Sequence, residues 1–222
     1  DVIDKDLVRN GQKNVIGQYI DEYTGIVDDL EVLHYANSAA ILAGDAIISE
    51  AYLLLNDANF DQTIKKRVIK QMGTSIYEVI AGELMDVEAT FRSAKTFDPI
   101  SIYRYKTASY SLVGPLLSGA YCAEADEGLL AKLESFGIMA GIVFQVQDDL
   151  LGVYGDESKT GKSTVGDLIE GKRTLLVINH EQSMTEQQAA RFDKYFGNQE
   201  ATNEQLEQLK IDMIDSGAKD KT

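Results

Sequence analysis

Residues 144–167 read FQVQDDLLGVYGDESKTGKSTVGD. An apolar helical pattern closes here on two adjacent carboxylates, Asp148 and Asp149, and hands over to a segment carrying Lys159 and Lys162. At about 100° per residue, Gln145, Asp148, Asp149 and Gly152 share one side of the helix. Ile138, Ile142, Val146 and Leu150 form an apolar stripe elsewhere on it. Two neighbouring anions at a helix C-terminus repel each other and oppose the helix dipole. Taken alone, such a pair reads as a solvated helix end followed by surface lysines. A positive partner would change that reading, and the candidates are a hard, oxygen-seeking cation such as Mg²⁺ or the lysines downstream.

Outward from this stretch the sequence keeps a helical period. Apolar and small residues recur at helical spacing over 32–56 (Leu33, Ala36, Ala39, Ala40, Ala43, Ile47, Ala51), which predicts a helix able to pack closely. A second helix is predicted over 61–92, with Asp61 as N-cap and Ile64, Val68, Ile69, Met72, Ile76, Val79, Ile80, Leu84 and Val87 on its buried side. A third begins at Pro99 and is expected to kink at Pro115. The fourth covers 127–153, and shorter ones cover 173–180, 185–196 and 203–216. No alternating period argues for a sheet, and there is no internal repeat. The expected fold is all-α: a single domain over 1–222, an antiparallel helical bundle around a central cavity.

Composition limits the chemistry. The chain has 222 residues, 44% of them hydrophobic, and only two prolines, which suits a helical protein with a substantial core. A formal net charge of -15 excludes nucleic acid as a partner unless cations intervene, so phosphate chemistry here needs a divalent metal. The lone Cys122 offers neither a disulfide framework nor a thiolate metal site, and a reducing, cytoplasmic setting follows. ILAGDAIISEAYLLL is the most apolar run, and Asp45 and Glu50 interrupt it, so no membrane span is expected. The opening DVIDKDLVRNGQ lacks the pattern of a secretory signal and does not look like a natural beginning. Neither His34 nor His180 is placed as a ligand; both read as packing or surface residues, and the tyrosines as core or interface material.

A second acidic cluster opens the chain: Asp1, Asp4 and Asp6, followed by Arg9 and Gly11. With it, the sequence resembles the all-trans isoprenyl diphosphate synthases. DVIDKDLVRNG is similar to that family's first aspartate-rich motif, DDxxDxxxxRRG, with its first Asp just ahead of residue 1. FQVQDDLLG resembles the second, and GKSTVGDLIEGKRTLLV the lysine-bearing segment that follows it. AILAGDAII, GELMDVE (Glu83 standing for Gln) and YKTASY match three further segments in the expected order. Several such matches in order are a specific signal where one would be weak.

The resemblance implies a Mg²⁺-dependent prenyltransferase that condenses isopentenyl diphosphate with an allylic diphosphate (dimethylallyl, geranyl or farnesyl). Its product would be an all-trans geranylgeranyl or farnesyl chain. By position, Asp1, Asp4, Asp148 and Asp149 would serve three Mg²⁺ ions, with Asp4 and Asp148 foremost and Asp167 on a metal-bound water. Arg9, Lys106, Lys162 and Lys172 would hold the diphosphate, and Thr107 and Gln145 would stand near the reacting allylic group. Asp86 and Asp45 read as hydrogen-bonded core carboxylates. A homodimer is implied, with the small-residue face of 36–51 as a candidate contact. Departures are Gly152 where the second motif usually ends in Asp, and Asn10 for the second Arg of RRG, which lacks charge and a bidentate fork. The family's helices ahead of the first motif are missing, so the sequence reads as part of a longer enzyme. The segment over 10–32 is longer and more acidic than the family's connection, and Asp28 and Asp29 in it read as a loop or helix start. Two alternatives remain open: a non-catalytic subunit of a heteromeric synthase, and a terpene cyclase-type enzyme on the same fold.

Overall fold

A computed structural model describes residues 2–3, 7–9, 11–91, 98–156 and 163–222, with only the backbone of Arg9. Asp1, Asp4 and Lys162 of the expected site, with Asp6, Asn10 and Lys159, lie outside the described residues. The described residues are overwhelmingly helical, as the spacing predicts, and fall into two compact units, Asp1–Asp61 and Gln62–Thr222.

In the first unit, strands β1 (Val8–Arg9) and β2 (Gln12–Lys13) form an antiparallel hairpin in which Arg9 pairs with Gln12. Gly11 takes φ +73° in the turn, a conformation glycine adopts without cost. This hairpin of two-residue strands leaves the fold all-α, as expected. Helix α1 (Val15–Tyr23) follows, capped by Asn14, whose side chain accepts the Gly17 N–H at 2.9 Å. The acidic 10–32 segment is therefore not a plain connection. Asp28 starts the long helix α2 (Asp29–Asp57), accepting the N–H groups of Leu30 and Glu31, so its place is a helix start as expected. Between α1 and α2, Ile16, Val32 and Ala36 are buried and the rings of Tyr19, Tyr23 and Tyr35 pack together.

The second unit opens with α3 (Gln62–Ala89). Its buried residues are Ser75, Gly82 and Ala89, whereas Ile69, Ile80, Leu84 and Val87 of the expected apolar face are exposed. Then come α4 (Pro99–Tyr103), capped by Asp98, a π-helical run over Arg104–Val113, and α5 (Gly114–Cys122). At the end of the run the Gly114 N–H reaches back to Ser109 O, the wide π pattern, and Pro115 has no N–H to continue it. A widened helix stands just ahead of Pro115, where the sequence suggests a kink at the proline itself. Helix α6 (Glu127–Tyr154), capped by Asp126, buries Leu130, Gly137, Gly141, Asp149 and Val153; the expected stripe of Ile138, Ile142, Val146 and Leu150 is only half-buried.

Short helices complete the unit: α7 (Gly166–Glu170), α8 (Leu175–Glu181), α9 (Glu186–Tyr195), α10 (Asn203–Asp215) and α11 (Ala218–Lys221). Their shared core joins Val153 of α6 to Leu168, Leu176, Val177, Phe192, Leu206, Leu209 and Met213. By length and composition both α2 and α6 would suffice to cross a membrane, with a mean hydropathy of 1.5 in each. The core helix of a packed domain passes the same test, and α6 packs on the π segment as such a helix does.

His180 is fully buried in this core. Its Nδ1 lies 2.8 Å from Ser216 Oγ, and Nε2 finds no partner among the described residues. Burial lowers its pKa below the ordinary value of 6.5, and the Asp212 charge opposes that only in part. The unfolded chain therefore binds this proton more readily than the folded one, and the associated stability is lost as pH falls from 6.5 through the folded pKa. Thermal melts should show a larger drop in Tm between pH 7 and pH 5 for the wild type than for His180→Leu; equal drops would remove His180 as the cause.

Candidate active site

The site is assembled on the π segment, which lies between α3 and α6 because glycines let backbones touch. A Cβ at Gly82 of α3 would stand 2.2 Å from Lys106 N and 2.6 Å from Lys106 Cα. A Cβ at Gly141 of α6 would stand 2.4 Å from Ala108 Cα, and one at Gly137 would stand 3.0 Å from Val113 Cγ2. These contacts clamp the chain at Lys106 and Thr107 from both sides.

Lys106 projects back to α3, where its Nζ is 2.6 Å from Asp86 Oδ2 and 3.2 Å from Glu83 Oε2. Burial alone would lower its pKa; Asp86, and then Glu83, more than offset this, and the ammonium holds its proton more firmly than usual. Asp86 is thus an ion-pair partner of a site lysine, a role its place in the sequence does not reveal.

Towards α6, Thr107 Oγ1 donates to Gln145 Oε1 at 2.5 Å, and Gln145 Nε2 donates to Asp149 Oδ1 at 2.9 Å. The Tyr103 hydroxyl donates to Asp149 Oδ2 and accepts the Leu175 N–H at 2.8 Å. Asp149 is only 7% exposed. Burial pushes its carboxyl up to about 7, helped by the negative charges of Asp167 and Asp148 and opposed by the hydrogen bonds from Tyr103 and Gln145. Asp148, half-buried, adjoins it on the helix.

Gly152, where the family motif would carry a third Asp, has its own reason here. A Cβ at that position would stand 2.7 Å from Asp167 Oδ2, so the Asp167 carboxylate occupies the space that a side chain at 152 would need. The chain returns to this place through Gly171, whose φ of +71° ends α7 and turns Lys172 back so that its N–H bonds Asp167 O at 3.0 Å. Lys172 Nζ then pairs with Asp167 Oδ1 at 3.2 Å and Glu170 Oε2 at 3.1 Å. Burial works against the Lys172 charge, but the two carboxylates prevail and push its pKa up.

Within the second unit, then, Thr107, Gln145, Asp149 and Tyr103 form one hydrogen-bonded line, Lys106 next to Thr107 pairs with Asp86 and Glu83, and Lys172 pairs with Asp167, whose charge acts on Asp149. Of the expected residues on the other unit, Arg9 is placed only as a β1 backbone pair. The carboxylates of Asp148, Asp149 and Asp167 offer oxygen donors whose charges repel at Asp149, which fits a hard cation. Among the described residues no group of three or more His, Cys, Asp or Glu stands ready to hold a metal. Sequence reasoning missed Tyr103 and Glu83; the only local signal for Tyr103 is its place three residues before Lys106.

A family model described as polyprenyl synthetase matches residues 1–213. The chain is 33% identical over 188 residues to the geranylgeranyl diphosphate synthase of Saccharolobus solfataricus, covering 82% of this chain and 56% of that one. It is 31% identical over 222 residues to the geranylgeranyl pyrophosphate synthase of Geoglobus acetivorans, covering 99% and 62%. Among solved structures, geranylgeranyl pyrophosphate synthase from Corynebacterium glutamicum, complexed with isoprenyl diphosphate and magnesium, superposes with a TM-score of 0.89. It shares 30% identity over 100% of this chain and 63% of its own. The chain spans between about half and two thirds of the length of these relatives.

Proposed function

Because the chain belongs to the polyprenyl synthetase family, we propose that the protein is a Mg²⁺-dependent prenyltransferase that extends an all-trans allylic diphosphate with isopentenyl diphosphate. The observation that carries this reading is the hydrogen-bonded line Thr107–Gln145–Asp149, which joins the KT and FQ–DD motifs beside Lys106 and Lys172. The isoprenyl diphosphate and magnesium found with the C. glutamicum relative suit the same set of oxygen donors and lysines.

Asp148 and Asp149, with Asp1 and Asp4 from the first cluster, would hold Mg²⁺, three ions when diphosphate is bound. When bound, the metal supplies charge neutralisation on the diphosphate oxygens. Lys106 and Lys172, with Arg9 and Lys162, bind the remaining phosphate charge; each described lysine gives up a carboxylate contact to do so. Thr107 and Gln145 present oxygen dipoles to the allylic carbons, where positive charge develops as the C–O bond breaks. The isopentenyl double bond forms the new C–C bond, and the adduct loses a proton to the departing diphosphate. No protein nucleophile takes part.

The hydrocarbon would lie between the helices, in a cytoplasmic homodimer with a geranylgeranyl or farnesyl product. The test supplies the full-length protein with Mg²⁺, isopentenyl diphosphate and dimethylallyl, geranyl or farnesyl diphosphate, and resolves products by length. Elongation that EDTA abolishes is expected, from a species that light scattering sizes as a dimer. Allylic diphosphate cyclised without isopentenyl diphosphate would move the reading to a cyclase, and no turnover at all to a non-catalytic subunit.

A further inference from the structure

We propose that Tyr103 is the positioning residue of the second aspartate pair, fastening the Asp149 carboxylate to the first turn of α8 through its hydroxyl. This rests on the metal reading of Asp148 and Asp149. Tyr103 is buried at the end of α4, immediately before the π segment. A phenol has one proton. The Leu175 N–H can only donate, so the hydroxyl accepts there, at 2.8 Å, and spends its proton on Asp149 Oδ2.

Gln145 Nε2 holds the other oxygen, Oδ1, at 2.9 Å. Both carboxylate oxygens therefore have a fixed donor, and the plane of the group is set by two residues from different elements. Asp148, the preceding residue on the same helix, shares a backbone that this group anchors. Leu175 lies three residues after Lys172, so the one hydroxyl also ties the lysine-bearing return of the chain to the aspartate pair. A phenylalanine would fill the same volume, and the hydroxyl is what makes these links. Groups that orient metal-binding carboxylates in this way typically change metal affinity about 10- to 100-fold when removed.

The test is a Mn²⁺ titration followed by electron paramagnetic resonance, with inorganic pyrophosphate present, on the full-length protein and its Tyr103→Phe variant. Mn²⁺ affinity is expected to fall about tenfold or more. In steady-state assays the Mg²⁺ concentration for half-maximal rate should rise while KM for isopentenyl diphosphate stays put. Asp149→Asn supplies the second arm, because it leaves no buried carboxylate to orient. If Tyr103 acts through Asp149, adding Tyr103→Phe to Asp149→Asn should change Mn²⁺ affinity less than about twofold.

A Tyr103→Phe protein that binds Mn²⁺ within twofold of wild type overturns the proposal and leaves the prenyl-transfer reading standing. So does an equal loss in both backgrounds, which would mark Tyr103 as a packing residue. A wild-type protein that takes up no Mn²⁺ with pyrophosphate overturns the proposal and the metal reading together.

Discussion

Replacing Lys106 by methionine is expected to lower kcat/KM for the allylic diphosphate by about 10²- to 10³-fold, the loss typical of removing one preorganised charge-stabilising donor. Lys106 is held in place through both its backbone and its charge. Its backbone is clamped by Gly82, and its ammonium sits 2.6 Å from Asp86 and 3.2 Å from Glu83. On the proposed reading, binding diphosphate would exchange one anionic partner for another, so the charge would need no reorganisation of the chain. Methionine keeps the unbranched volume and removes the charge. Lys106→Arg keeps the charge and offers a planar fork, so it should recover part of the rate. Because the ion pairs are part-exposed, the melting temperature should move little in either variant. A Lys106→Met protein within fivefold of wild type in kcat/KM would mean that Lys106 serves only to neutralise Asp86 and Glu83.

Gly82→Ala should act on the same lysine through the backbone. The added Cβ would lie 2.2 Å from Lys106 N, 2.6 Å from Lys106 Cα and 2.6 Å from Tyr105 C. No rotamer change relieves a contact between a Cβ and a main chain, so α3 and the π segment must separate. Overpacking of this kind costs about 3 kcal/mol, or about 10 °C in Tm for a chain of this size. Lys106 moves with its backbone, and activity should fall along with stability. Gly119→Ala is the control: it is also helical, but nothing stands within 4 Å of its Cβ position, and it should leave Tm unchanged or raise it slightly. Melts of the two variants side by side decide the matter, and a Gly82→Ala protein melting within 2 °C of wild type would refute the close approach.

The long helices were legible because their apolar residues keep a helical period; of the residues that cap helix starts, Asp28 stands where the sequence offers a loop or helix start, whereas Asp98, Asp126, Thr185 and Thr202 emerge only with the structure. Which face each helix buries was not. Helix α6 turns Gly137, Gly141 and Asp149 inward and leaves Val143 and Phe144 exposed. Hydrophobicity points the other way, since glycine is buried for what it lacks and Asp149 for its partners. The hairpin of Val8–Arg9 and Gln12–Lys13 turns at Gly11, inside a stretch that also resembles an arginine motif and so has two readings in sequence. In the site, the motif residues Thr107, Gln145 and Asp149 were legible and do meet. The partners of Lys106 and Lys172 depend on contacts across elements, and a tyrosine hydroxyl that bonds Asp149 looks in sequence like any core tyrosine.

The π-helical run over Arg104–Val113 has one more consequence. Its wider turns use up more residues per revolution than an α-helix does, so it works as a phase shifter within an otherwise continuous rod. The residues that Pro99–Tyr103 turns inward, Ile102 and Tyr103, and those that Gly114–Cys122 turns inward, Leu117 and Ala120, therefore obey separate periods. A single helical wheel drawn across all of them blurs both faces. Losing one residue from the run would rotate everything on one side of the loss, taking either the tyrosine that touches Asp149 or the leucine under α6 out of its place.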